Sequence, residues 1–134
     1  MARELNLELE TIFTGYVDEE EMADMYNLCD LYVMPNREVT QSTDSIEGFG
    51  IVFLEASSCG KPVIAGKSGG TSEAVLDGVT GFLIDPDDEE ALANKIVQIL
   101  RNPSMRKEIG EKGRAWVINK FSWEKSASQV MPFV

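Results

Sequence analysis

The chain has no histidine among its 134 residues. That removes the commonest general base and the commonest metal ligand. It has two cysteines, Cys29 and Cys59, and no cysteine-rich metal spacing. Each sits inside an apolar pattern, which reads as a buried free thiol rather than half of a disulfide. Basic residues are scarce: 12 Lys and Arg stand against 23 Asp and Glu, a formal net charge of −11. They do not cluster, so a surface that neutralises nucleic-acid phosphates is excluded. Attraction of this segment alone to anionic lipid is disfavoured for the same reason. No apolar run approaches the ~20 residues of a membrane span, and the opening "MARELNLELE" has no apolar signal region. Cytoplasmic residence is the expectation. Any chemistry must rest on carboxylates, backbone amides and helix ends.

What is present is ordinary for a soluble globular protein: 43% hydrophobic and 26% charged residues, in a length suited to one domain. Short β-like runs alternate with amphipathic helices, which argues for a parallel α/β sheet. "ETIFTG" reads as a strand ending at Gly15. Asp18 with Glu21 reads as a capping box, and Met22, Met25, Tyr26 and Cys29 follow at helical spacing. "DLYVMP" is a strand closed by Pro35, and "NREVTQSTDSIEG" is a polar loop, longer than most connections. Ile51 to Cys59 read as a helix ended by Gly60, and "PVIAG" as a buried strand. "SGGTSEAVL" is a glycine turn and short helix; "TGFLID" is a further strand. Asp87 with Glu90 caps a helix carrying Leu92, Ile96, Ile99 and Leu100. Ser104 starts another with Ile109, Trp116 and Val117, and Ser122 a last one. The chain shows no internal repeat.

The stretch "EGFGIVFLEASSCGKPVIAG" places two carboxylates, Glu47 and Glu55, eight positions apart in an otherwise apolar and glycine-rich run. At 100° per residue, Glu55 falls between the directions of Ile51 and Val52 on a helix with little polar face. It points either at a partner inside the protein or at a ligand over the helix; the plain alternative is a solvated head on an apolar stem. Glu47 stands beside Gly48 and Gly50, just before the helix. A helix start offers unpaired N–H groups and the positive end of the dipole, which suit a phosphate. Glycines let a ligand approach the backbone. A carboxylate there repels phosphate, so its natural target is a neutral hydroxyl, unless it merely caps the helix. Two hydroxyl clamps flanking an anion site have the shape of a nucleotide-sugar diphosphate.

The run "EGFGIVFLEA", followed by "CGKPVIAG", "SGGTSEAV" and "DGVTGFLIDP", resembles the C-terminal half of the group 1 glycosyltransferases, the retaining family 4 with the GT-B fold. "TIFTGYV", "CDLYVMPNRE" and "FSWE" fit the same family in the same order, so the resemblance covers essentially the whole chain. The loop with "PNRE" looks like the branch that includes phosphatidylinositol mannosyltransferase-like enzymes. The implied fold class is α/β, a Rossmann-like parallel sheet flanked by helices, with residues 1–134 a partial donor-binding domain. The resemblance implies that Glu47, the catalytic candidate, contacts donor-sugar hydroxyls. It implies that the backbone of Gly48, Phe49, Gly50 and Ile51 meets the sugar and distal phosphate, and that Glu55 accepts from the ribose hydroxyls. Tyr16 and Val17 would line the base. Ser68, Gly69, Gly70 and Glu73 form a second turn typical of the family, supporting the architecture or touching ligand. The implied substrate is a UDP-, GDP- or ADP-linked sugar, with no cofactor, no essential metal and no enzyme nucleophile. A membrane-associated acceptor, with the full-length enzyme peripheral at the inner membrane face, goes with the same resemblance.

A family member also has an N-terminal acceptor domain, and its C-terminal domain opens on a strand leading to an Arg and Lys that hold the diphosphate. Neither is found here. The expectation is a donor-site segment, inactive alone, that needs the missing N-terminal domain or a partner chain. The alternative is a non-catalytic binding or assembly module that pairs with another chain. A sugar-nucleotide epimerase is disfavoured by the absence of histidine. The family's strand order 3-2-1-4-5-6 makes "TIFTG" strand 3 and "DLYVMP", "PVIAG" and "GFLI" strands 4 to 6. With strands 1 and 2 missing, "TIFTG" is expected to move in beside "DLYVMP", giving four strands, unless a second chain covers that edge.

Overall fold

A computed structural model of the chain describes residues 1–37 and 49–121. Three strands, β1 (Tyr32–Met34), β2 (Val63–Gly66) and β3 (Gly81–Ile84), form one parallel sheet in the order β1-β2-β3. Among the described residues five helices accompany them: α1 (Glu19–Leu28), α2 (Ile51–Ser58), the single turn α3 (Thr71–Ala74), α4 (Glu89–Leu100) and α5 (Pro103–Lys120). Strand and helix alternate as the sequence reading requires.

The register is fixed by which side chains each strand buries. Tyr32 pairs with Val63 and Val33 with Ile64 across β1 and β2; Ile64 pairs with Phe82 across β2 and β3. Successive strand residues point to opposite faces, and the core divides accordingly. Val63 and Ala65 pack with Tyr26, Phe53, Ala56 and Val75 under α1, α2 and α3. Ile64 and Phe82 pack on the other face with Ile99 of α4 and Ile109 of α5. β2 is buried along its whole length, as a central strand covered on both faces should be.

Close backbone contact ties the layers together. A Cβ at Gly110 of α5 would lie 2.0 Å from the Gly60 carbonyl oxygen after α2. A Cβ at Gly66 would meet the Asn36 carbonyl oxygen at 2.0 Å, so the ends of β1 and β2 touch through backbone.

Several expectations are corrected. Residues 11–15, "TIFTG", form no strand, and β1 has no strand neighbour other than β2 among the described residues. Ile12 and Phe13 are 88% and 83% exposed. A strand forms only where its N–H and C=O groups find a ladder partner, and this segment has none among the described residues. Asp18 is the N-cap of α1, but its carboxylate makes no cap bond, so the Asp18–Glu21 capping box is not formed. The cap of α4 is Asp88 rather than Asp87: its Oδ1 accepts from the Ala91 N–H at 2.8 Å. The cap of α5 is Asn102, accepting from the Met105 N–H at 3.0 Å, with Pro103 opening the helix ahead of Ser104. Proline suits that first position because its missing N–H has no helical partner there. Cys29 and Cys59 are free thiols, and half-buried rather than buried. The helix start at Ser122 lies outside the described residues.

Candidate functional site

In a parallel sheet each crossover helix begins at the C-terminal end of the preceding strand. The start of α2 therefore lies at the edge of the sheet where α/β folds bind ligands. Gly50 forms that start, with φ 77° and ψ 50°, in the left-handed region. A side chain there would also collide with Phe53, whose ring lies 2.6 Å from the added Cβ and is fully buried. Glycine is required on both counts. No side chain among the described residues caps α2, and its first turn carries no acidic residue. The Phe53 N–H donates to the Gly50 carbonyl at 2.9 Å, while the Ile51 and Val52 amides, at the positive end of the helix dipole, have no partner among the described residues and suit an anion.

Glu55 lies one turn into α2, on an exposed flank. Its Oε2 accepts a hydrogen bond of 2.8 Å from the hydroxyl of Tyr26 on α1. Tyr26 is 7% exposed and stacks edge-on against Tyr32 at 5.5 Å between ring centroids. Burial, followed by the bond to Glu55, pushes the Tyr26 hydroxyl well above the usual tyrosine range. The hydroxyl is therefore a permanent donor, and it holds Glu55 in one orientation. The second carboxylate oxygen has no protein donor among the described residues and is open to accept from hydroxyl groups. Beside it a groove of about 280 Å³ runs between α1 and α2, lined by Glu19, Met22, Tyr26, Glu55 and Ser58 among others.

Gly50, Ile51 and Glu55 are thus brought together on the first turn and a half of α2. Ile51 is 64% exposed at the helix start, and Phe49, half-buried, packs edge-on against Phe121 at 5.5 Å. Tyr16, 89% exposed, and Val17, half-buried, immediately precede α1. Gly69 and Gly70 form the turn after β2 and Glu73 lies in α3, with Gly69 and Glu73 exposed. Glu47 and Gly48 lie outside the described residues. The residue missed by sequence reasoning is Tyr26, which reads as core from its spacing. The available signal was that a tyrosine on an apolar helix face needs a partner for its hydroxyl. Glu55, on a helix without a polar face, needed one as well.

The family pattern described as "Glycosyl transferases group 1" matches residues 1–116. A GDP-mannose-dependent alpha-(1-6)-phosphatidylinositol monomannoside mannosyltransferase from Mycolicibacterium smegmatis is 36% identical over 97% of the chain and 34% of its own length. Among solved structures, the sucrose-phosphate synthase of Thermosynechococcus elongatus superposes with a TM-score of 0.86 at 36% identity, over 98% of the chain and 31% of the synthase. HepE from Anabaena in complex with UDP-glucose superposes with a TM-score of 0.83 at 30% identity, over 98% of the chain and 34% of HepE. The chain spans about a third of the length of these relatives. Its three parallel strands and flanking helices correspond to part of the C-terminal domain of the GT-B fold. With the pattern matched over most of its length, the chain belongs to the glycosyl transferases group 1 family.

Proposed function

We propose that this chain forms part of the donor site of a retaining glycosyltransferase that uses a nucleotide-diphosphate sugar. One observation carries the reading: the start of α2 after Gly50, capped by no described side chain, is followed, one turn on, by a carboxylate that Tyr26 holds in place. The helix start takes the phosphates, and Glu55 accepts from the ribose hydroxyls. Tyr16 and Val17 line the base, and Phe49 and Ile51 contribute backbone to the sugar and distal phosphate. Glu47 takes the hydroxyls of the donor sugar. Electrostatic stabilisation of the departing diphosphate by helix amides supplies much of the rate. The M. smegmatis relative is GDP-mannose-dependent and the HepE complex holds UDP-glucose, which supports a nucleotide sugar and leaves the base open.

Because positioning donor against acceptor is a large part of catalysis, the isolated chain is expected to transfer no sugar. Turnover requires an acceptor domain, in the same polypeptide or a partner chain. A lipid-linked acceptor at a membrane face fits the mannosyltransferase likeness. No described helix is long and apolar enough to cross a membrane. The second reading, a non-catalytic assembly module, is favoured by the exposed Leu9, Ile12 and Phe13. Calorimetric titration with UDP-, GDP- and ADP-sugars, on this chain and on a two-domain enzyme containing it, separates the two. Binding of one nucleotide series to both supports the donor site. Binding to neither, with the two-domain enzyme folded, removes it.

A further inference from the structure

Two hollows meet at Glu19, the first residue of α1. One is the groove of about 280 Å³ between α1 and α2, where Glu19 stands with Met22, Tyr26, Glu55, Ser58 and Cys59. The other, of about 390 Å³, lies ahead of the helix, where Glu19 stands with Tyr16, Asp18 and Glu20. Glu19 is the residue the two share, so it lies between Glu55 and Tyr16 along this surface.

The side-chain chemistry of the groove is one-sided. The Tyr26 hydroxyl commits its proton to Glu55 Oε2 at 2.8 Å, and the Ser58 hydroxyl commits its own to the Glu55 carbonyl at 2.7 Å. The carboxylates of Glu19 and Glu55 only accept, the Cys59 thiol is a weak donor, and Met22 offers no proton. Among the described residues, no basic side chain lines either hollow. Complementing the helix dipole accounts for acidic residues in the first turn of α1. Glu20 and Glu21 serve that end without lining the groove; Glu19 shares the groove with a second carboxylate. No third ligand among the described residues makes a metal site of the pair. The walls suit a neutral group that offers adjacent N–H donors.

We propose that the donor site selects guanine, with Glu19 accepting from the edge of the base and Tyr16 stacking on its face. The inference rests on the donor reading and names its base. With the ribose on Glu55 and the base toward Tyr16, Glu19 stands beside the base edge. Guanine sets N1–H and its 2-amino group side by side, matching the two oxygens of one carboxylate. Uracil offers one N–H between two carbonyl oxygens, which a carboxylate repels. Adenine sets its amino group beside a ring nitrogen that needs a donor. Tyr16 is 89% exposed, with its ring open to stacking. Stacking takes any base, so selection falls to Glu19.

The test is calorimetric titration of this chain, alone and within a two-domain enzyme, with GDP, UDP, ADP and inosine diphosphate. The last is GDP without the 2-amino group. GDP should bind about tenfold or more tighter than UDP and ADP, and about fivefold or more tighter than inosine diphosphate. Glu19→Ala should bring GDP level with inosine diphosphate and leave UDP and ADP where they were. A loss confined to GDP separates base reading from a folding defect. Any of the other three binding as tightly as GDP, or a GDP preference unchanged in Glu19→Ala, overturns guanine selection and leaves the donor reading standing. No binding of any diphosphate to either form, with both folded, removes the donor reading and this inference with it.

Discussion

Replacing Tyr26 with phenylalanine removes one oxygen from the α1–α2 contact and leaves the ring in place. The lost group donates to Glu55 Oε2 at 2.8 Å, while the edge-on packing against Tyr32 is kept. Hydrogen bonds to charged groups contribute ~1.5–3 kcal/mol. Glu55 is exposed, so water replaces part of the bond, and about 1–1.5 kcal/mol is expected at pH 7. The pH dependence makes the test specific. Burial and the bond to Glu55 raise the folded-state pKa of Tyr26 above its unfolded value. Below the unfolded value of ~10 both states hold the proton, and the stabilisation is fully present. Above it the unfolded chain ionises while the folded one does not, so stability falls by up to ~1.4 kcal/mol per pH unit. The variant lacks this term. Urea unfolding followed by circular dichroism should show wild type ahead at pH 7 and pH 9, with the gap closing about one unit above pH ~10. Equal stability at pH 7, or a gap that stays constant through pH 10 and 11, would refute the coupling of Tyr26 to Glu55.

Gly110→Ala should destabilise even though alanine is the better helix former by ~1 kcal/mol. The new Cβ would lie 2.0 Å from the Gly60 carbonyl oxygen, and overpacking against backbone costs ~1–3 kcal/mol; a raised denaturation midpoint would sink the α5 placement. Asn102→Ala should lose ~1 kcal/mol through its cap bond to Met105, and Asp18→Ala distinctly less, since Asp18 makes no such bond; equal losses in parallel melts would contradict the caps. In a two-domain enzyme, Glu55→Gln should weaken nucleotide affinity by ~1 kcal/mol, several-fold in Kd. Glu47→Gln should lower kcat more than nucleotide affinity, and unchanged donor kinetics in both variants would remove the ligand roles.

The elements legible in the sequence were those whose pattern and partners lie close together. β2 and β3 are short apolar runs bounded by glycine, and they form where the pattern places them. The α2 start was legible because Gly50 is required by its own backbone and by Phe53 three residues on. "TIFTG" has a strand's composition, but strand formation depends on a neighbour that composition does not encode. The caps of α4 and α5 were displaced because several adjacent polar residues compete for each cap, and backbone geometry chooses among them. Tyr26 was hidden because its partner lies 29 positions away. The burial of the Ser68 hydroxyl was hidden likewise, because a glycine-rich turn does not disclose which hydroxyl it buries.

The most direct test of the central claim is amide mapping of the two-domain enzyme with its preferred nucleotide sugar, repeated with Tyr26→Phe. The donor reading predicts saturable shifts at Gly50, Ile51 and Glu55, with affinity falling in the variant. Saturable binding that leaves the first turns of α2 unmoved would contradict it.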